Sequence, residues 1–461
     1  MDCKPHHIAV IGSGYVGTVV AACLAHVGHQ VVGVEADPAK LSVLQEGAIP
    51  FHEAGLEDLV RSGIERGNLS FVGQVAEAMD RCRIVFICVG TPPGPDGSPD
   101  MSAVEAVAQS IAESITSHHV LVNKSTVPIG TGRWLASVME EYASDDLFSV
   151  VSNPEFLREG SAVQDFLHPD RVVLGSEDET ALDLMAEVYR PILEQSFPGP
   201  GLPRGPVPLM RTTLATAEMV KYASNAFLAT KISFANEIAR LCEFVGADVT
   251  EVTSGMGLDA RIGGQFLDAG LGWGGSCFGK DTAALIATAS EYGYQPRILD
   301  AVLHVNSDQR NLAVEQLLRY LKTLRGARVA VLGLAFKAGT DDLRDSPAVD
   351  ICERLLKRGA IVTAYDPMVG AVPSVPEIRI AASAYEAAKS ADAIVLATEW
   401  PEFLALDLQV LRGQMRGNVF FDGRNNFDVA RVLEADFEYL GIGRGSSPRR
   451  LAAGLPSETP A

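Results

Sequence analysis

The sequence predicts an α/β protein in which two doubly wound, parallel-sheet domains are joined by a central helical domain with one long helix. Three observations carry this. Short apolar runs alternate with helical patterns through the first 200 residues. A stretch of about thirty residues from Ala215 to Gly246 has no internal Pro or Gly. From Gly326 the opening pattern of apolar runs returns. At 461 residues the chain exceeds what one core supports.

In chain order, the first strand is expected over 6–11, where it ends in Gly12-Ser13-Gly14-Tyr15-Val16-Gly17 and a helix follows to about His26. A second strand spans Gln30 to Val34 and closes on Glu35. A third spans Arg83 to Val89 before Gly90-Thr91-Pro92. Others fall at 119–123 and 148–151. Strands alternating with helices indicate parallel βαβ units. The Pro- and Gly-rich segment 197–208 reads as a boundary. The long helix is expected to serve as a spine between domains and as a dimer surface. In the last third, Arg328 to Gly333, Ala360 to Asp366 and Ala391 to Leu396 repeat the first domain's strands without its full glycine pattern. That domain is therefore not expected to hold a dinucleotide. The expected domains are 1–200, 209–318 and 319–445, with a disordered tail over 446–461.

Composition narrows the function. The hydrophobic share is 47% and the formal net charge is −20, which argues against nucleic acid or an anionic membrane as the main partner. Seven cysteines without a CxxC pair fit a reducing compartment. Cys23, Cys88, Cys242 and Cys352 lie in apolar stretches and read as inert core. No signal peptide or membrane-length apolar run is read, so the protein is expected in the cytoplasm. No metal is expected.

Gly12-x-Gly14-x-x-Gly17 opens a helix after a strand. Its glycines allow the turn, the close approach of a pyrophosphate, and helix-on-strand packing. Glu35 at the end of the second strand bonds ribose hydroxyls and repels a 2′-phosphate, so NAD is expected over NADP. Gly274-Gly275-Ser276-Cys277-Phe278-Gly279-Lys280-Asp281 places a cysteine among glycines, with a cation and a carboxylate close behind. That setting favours a thiolate nucleophile. A hydride acceptor plus a reactive thiol points to an oxidation through an acyl-enzyme. Lys221 and Asn225 are four apart on the long helix and share a face. Either they form an ordinary solvent face, or a partly buried Lys221 supports an oxyanion. Asn153 to Gly160 begins at a strand end. Its carboxylates Glu155 and Glu159 serve either acid–base work or helix capping. Ser125-Thr126-Val127-Pro128 and Gly90-Thr91-Pro92 are strand-end turns. Phe336 to Arg344 either offers cations to phosphates or is a charged loop, and Asp422-Gly423-Arg424-Asn425 is similar in kind.

The set GSGYVG, CVGTP, STVP, NPEFLREGSA, EMVKYASNAFLATKISFANE, GGSCFGKD and FKAGTDDLRDSP resembles the UDP-glucose 6-dehydrogenase and GDP-mannose 6-dehydrogenase family. It runs in family order over nearly the whole chain. The resemblance implies an NAD domain, a central helical domain, a C-terminal domain that grips a nucleotide sugar, and a homodimer. It implies Cys277 as nucleophile, Lys221 and Asn225 at the oxyanion, Asp281 orienting water or thiol, and Glu155 and Thr126 assisting proton transfer. Gly12, Gly14, Tyr15, Val16, Gly17, Glu35, Lys40, Thr91, Thr126, Glu159, Lys280 and Arg344 would bind NAD. Glu155, Phe156, Leu157, Glu159, Lys221, Asn225, Phe266, Leu267, Gly270, Gly274, Lys337 and Arg424 would bind the sugar nucleotide, with Arg261 reaching a neighbouring subunit's substrate.

Two departures from the family pattern stand out. Gly279 occupies the place of a usual proline, and Glu35 that of a commoner aspartate. Asp422 to Asn425 looks like the UDP-glucose branch, with dTDP-glucose and GDP-mannose as alternatives. Two further rivals are a non-catalytic nucleotide-sugar sensor and a two-electron dehydrogenase of a 3-hydroxy acid.

Overall fold

The computed structural model describes residues 4–92, 100–198 and 205–444. They fall into two compact units, the first holding the described residues up to Ser224 with Ala283–Tyr294, the second Asn225–Thr282 with the described residues from Gln295 on.

The first unit is built on an eight-stranded sheet. Its strands are β1 (His7–Ile11), β2 (Gln30–Val34), β3 (Leu69–Val72), β4 (Ile84–Ile87), β5 (His119–Asn123), β6 (Phe148–Ser152), β7 (Val172–Gly175) and β8 (Leu209–Thr212). The order is β3-β2-β1-β4-β5-β6-β7-β8, parallel throughout except where β6 meets β7. The reversal of strand order at β1 and β4 makes the crevice where ligands of open α/β sheets bind. β4 and β5 are buried along their whole length, as strands covered by helices on both faces must be.

The second unit holds a six-stranded parallel sheet of β9 (Arg328–Leu332), β10 (Ile361–Tyr365), β11 (Arg379–Ile380), β12 (Ala393–Leu396), β13 (Val419–Asp422) and β14 (Glu438–Gly441). Its order is β11-β10-β9-β12-β13-β14. The doubly wound expectation therefore holds for both sheets.

The long helix runs from Leu214 to Val245. The central helices share one small buried cluster of their own, Ala229, Trp273 and Val302, with Ile232, Phe278 and Leu303 packed against it. Leu214–Ser224 and Ala283–Tyr294 belong to the first unit. In the second, Ala235, Ala239 and Cys242 join one buried cluster with β9 and β12. An amphipathic helix needs a partner for its apolar stripe, and here a sheet layer supplies it. Cys23, Cys88, Cys242 and Cys352 are buried as expected, and burial pushes the thiols of Cys88 and Cys352 up to about 12. The expected tail over 446–461 lies outside the described residues, as does most of the boundary's centre.

Candidate active site

In the first unit the three glycines of the opening turn have separate reasons. Gly12 has φ +92°, in the left-handed region, and a Cβ there would meet Val89 at 2.9 Å. A Cβ on Gly17 would lie 1.8 Å from the Gly12 carbonyl oxygen, so helix and strand pack backbone to backbone. A Cβ on Gly14 would meet nothing within 4 Å, which leaves the approach to the helix N-terminus open for a phosphate. Val16 follows in the first turn of that helix. Glu35 stands half-exposed after β2 and accepts from the Asp37 backbone N–H at 2.9 Å, and Lys40 is exposed on the next helix. These residues fit an NAD site.

Tyr15 does more than follow a glycine. Its hydroxyl bonds the Glu53 carboxylate. Glu53 is 3% exposed and accepts from the backbone N–H groups of Gly160 (2.7 Å) and Ala162 (2.8 Å). Burial, then Glu53, pushes the Tyr15 phenol up, so it donates. The nucleotide turn is thereby tied to the end of the 153–160 loop, where Glu159 is half-buried.

Lys221 and Glu155 form a buried pair, with Nζ 2.6 Å from Oε1 and 2.7 Å from the Glu155 carbonyl oxygen. The other carboxylate oxygen accepts from Leu157 N–H at 2.6 Å. Burial opposes the charge on Glu155, but Lys221 and the Leu157 amide outweigh it and hold the carboxyl below its usual range. Phe156 stacks under the Arg171 guanidinium at 3.6 Å and lies 5.6 Å from Lys221 Nζ. Of the two readings of Lys221, the solvent face is excluded, since the residue is 4% exposed. The capping reading of Glu155 fails too, because its carboxylate goes to Lys221 and a loop amide.

Thr126 lines a cleft with Lys124, Glu218 and Lys221. Its carbonyl accepts from Thr91 Oγ1 at 2.7 Å, which joins the two strand-end turns. Glu218 accepts from Gly130 and Gly132 N–H at 2.6 and 2.8 Å and fastens the far end of that turn to the long helix.

In the second unit Cys277 immediately precedes the helix Phe278–Glu291, at the positive end of its dipole. Its thiol is part-buried, 3.5 Å from Ser276 Oγ. One turn on, buried Asp281 accepts from Asn225 Nδ2 at 2.6 Å, and Asp281 N–H bonds the Cys277 carbonyl at 2.9 Å. Lys280 lies beside that carboxylate at 3.9 Å. Thiol, carboxylate and amide are thus fixed relative to one another.

The glycines ahead of Cys277 admit neighbours instead of merely clearing space. A Cβ on Gly272 would strike Asn306 at 2.5 Å, one on Gly274 the Asp345 carbonyl at 2.2 Å, and one on Gly275 the Phe336 ring at 2.8 Å. Gly274 therefore has its open side filled by protein. Arg310 completes the mooring with bonds to the Trp273 carbonyl (3.0 Å) and Asp345 (2.7 Å). Phe266 has φ +63° and faces Phe278 with ring centroids 6.3 Å apart, Leu267 is buried, and Gly270 N–H bonds Asn236 at 2.8 Å. Lys337 lies over the Phe336 ring at 5.5 Å. Arg424 donates to the carbonyls of Ala397 (2.7 Å) and Phe336 (3.0 Å), so it braces the 336 loop. Arg344 pairs with Asp342, and exposed Arg261 pairs with Asp259 in its own turn at 2.6 Å.

Three family models match in order. They are the NAD binding domain over 6–193, the central domain over 215–308 and the UDP binding domain over 330–429 of the UDP-glucose/GDP-mannose dehydrogenase family. The chain belongs to this family. Over 95% of its length it is 45% identical to a UDP-glucose 6-dehydrogenase of Rhizobium meliloti, 99% of which is covered. It is 41% identical to UDP-glucose 6-dehydrogenase TuaD of Bacillus subtilis, covering 98% of this chain and 97% of that one. Among solved structures, a UDP-glucose dehydrogenase from Pyrobaculum islandicum superimposes with a TM-score of 0.87 at 40% identity, covering 96% and 98% of the two chains. This dehydrogenase uses NAD.

Sequence reasoning passed over four residues of this family member's interior: Glu53, Lys124, Asn153 as an anchor, and Glu218. Lys124 and Glu218 sit inside or beside quoted motifs and carry charge in apolar surroundings, a signal that was available. Glu53 belongs to no motif and had none.

Proposed function

We propose that this protein is a UDP-glucose 6-dehydrogenase that oxidises the C6 alcohol to the carboxylate through covalent intermediates on Cys277. The observation that carries the reading is Cys277 at the head of a helix, with Asp281 one turn in and held by Asn225. Names of the similar proteins support the substrate.

NAD, held by the Gly12–Gly17 turn and Glu35, supplies hydride acceptance twice per turnover. The chain's own residues do the rest. Glu155 and Thr126 manage the proton of the C6 hydroxyl as the alcohol becomes an aldehyde. The Cys277 thiolate adds to the aldehyde carbon, forming a C–S bond and leaving a negative oxygen. Lys221 and Asn225 carry that oxygen's charge. Loss of the second hydride from this thiohemiacetal gives a thioester. Water oriented by Asp281 breaks the C–S bond, releasing the carboxylate and the thiolate.

We further read the protein as a cytoplasmic homodimer. Phe227, Phe234, Leu241, Phe244 and Val245 of the long helix are exposed, which supports a covering partner. No helix among the described residues is long and apolar enough to cross a membrane.

The test is NADH formed per mole of limiting UDP-glucose, dTDP-glucose or GDP-mannose, each supplied alone. Two NADH from UDP-glucose is the expected result. One NADH would overturn the thioester route, and none from UDP-glucose would overturn the substrate.

A further inference from the structure

Lys124 follows β5 directly and is buried in the first unit. Its Nζ donates to Asn153 Oδ1 at 3.1 Å and lies 3.4 Å from the Tyr189 hydroxyl. Asn153 has no freedom left. Oδ1 also accepts from Tyr189 at 2.6 Å, Nδ2 donates to the Val173 carbonyl at 2.9 Å, and the backbone N–H bonds Asn123 at 2.9 Å. Two residues on stands Glu155, whose carboxylate and carbonyl both accept from Lys221.

The charges around this ammonium can be named from every side. Cys88 approaches from the end of β4, and burial pushes its thiol up to about 12. Tyr189 reaches in from the helix Glu179–Leu193, and burial pushes its phenol up as well. Phe166, from the helix Ala162–Leu167, gives only a ring face at 5.7 Å. Glu218 shares the cleft but spends its carboxylate on Gly130 and Gly132, and burial raises its pKa. Two cations, Lys124 and Lys221, therefore line one cleft, Lys221 bonded to Glu155 and Lys124 to Asn153 two residues before it. A single neutral pair would need only one of them. Burying an unbalanced ammonium is unfavourable and is not required to fill this space.

We propose that Lys124 is a positioning residue for the Glu155–Lys221 pair: its ammonium anchors Asn153 and supplies the second positive charge that keeps Glu155 ionised beside Lys221. The inference rests on the reading above only in giving Glu155 a part in the reaction. Consistent with it, Lys124 favours the charged form of Glu155.

The test separates charge from grip. Lys124→Gln keeps a donor for Asn153 and loses the charge, Lys124→Met loses both, and Lys124→Arg keeps both. Protonation of Glu155 is followed without turnover, by the infrared carbonyl band of its protonated form, identified by its absence in Glu155→Gln. An opposite charge near a buried carboxyl favours its ionised form, so losing that charge raises its pKa. The band midpoint should therefore rise in both the Gln and Met variants and return in the Arg variant. The acid limb of kcat/KM should move with it, and kcat at neutral pH should fall about tenfold further in the Met variant than in the Gln variant. An unmoved midpoint in whichever of the Gln and Met variants folds overturns the proposal. A risen midpoint in Lys124→Gln, with Glu155→Gln turning over like the parent, upholds Lys124 and refutes the catalytic reading of Glu155.

Discussion

Replacing Lys124 by Met should change how stability depends on pH, and the size of the change follows from burial. Desolvation is the largest influence on this lysine, and it lowers the pKa from 10.5 to about 8. At 1.36 kcal/mol per pH unit the ammonium costs the fold about 3 kcal/mol. Below pH 8 both folded and unfolded chains hold the proton, and the full cost is present. Between about 8 and 10.5 the unfolded chain binds a proton that the folded chain does not, so stability rises with pH. Lys124→Met has no proton to lose and lacks this rise. At pH 7 the two proteins should differ little, because the Met variant sheds the burial cost but forfeits charged hydrogen bonds of similar worth, about 1.5–3 kcal/mol. From pH 7 to 10 the parent should gain about 3 kcal/mol relative to the variant. Denaturant-dependent hydrogen exchange on peptides covering β4 to β6, at matched pH, reads the difference. A difference that stays flat within about 1 kcal/mol over that range, far below the one-proton linkage, would refute the buried-charge argument.

Three further outcomes are expected. Cys277→Ser should stop after the first oxidation or trap an ester on the enzyme, and intact-mass spectrometry with NADH counting checks this; normal turnover would remove the covalent step. Lys221→Met should destabilise the fold by about 3–5 kcal/mol by leaving Glu155 charged and buried, and Glu155→Gln added to it should recover most of the loss in chemical denaturation. On its own, Glu155 contributes stability that is present above pH 4.5 and lost as pH falls through its lowered pKa. Gly279→Pro should stabilise by about 0.4–1 kcal/mol, because the site is in the first helical turn, its φ is not positive, and an added Cβ meets Trp273 and Asp345 at an ordinary 3.6 Å. A lowered melting temperature would show that the loop needs glycine there.

The parts of the fold most legible in sequence were those where one residue type repeats without interruption. β1, β2, β4, β5 and β6 are apolar runs buried by helices on both faces, and such runs are visible in the chain. β3 alternates over only four residues, Leu69 to Val72, and β8 carries Arg211 at the sheet edge, so neither stands out from a loop. The long helix was legible to within a residue because nothing in it breaks a helix. In the site, residue types were legible and their partners were not. The glycines before Cys277 are where they are because of Asn306, Phe336 and Asp345, which come about thirty to seventy residues later in the chain. Arg424 reads as a phosphate ligand, and its spacing does not announce the carbonyls of Ala397 and Phe336 or the Glu399 carboxylate that it meets. Such pairings are set by three-dimensional proximity, and no spacing rule encodes them.

The carboxylate of Glu53 joins the hydroxyl of Tyr15 to the amides of Gly160 and Ala162. The cofactor turn and the Glu155 loop therefore behave as one mechanical part. A defect introduced at Tyr15 will be felt at the loop five strands away in sequence, and a weakened sugar response in such a variant would not place Tyr15 against the sugar. The two affinities share a fastening, and kinetic data on either residue have to be interpreted as a property of both.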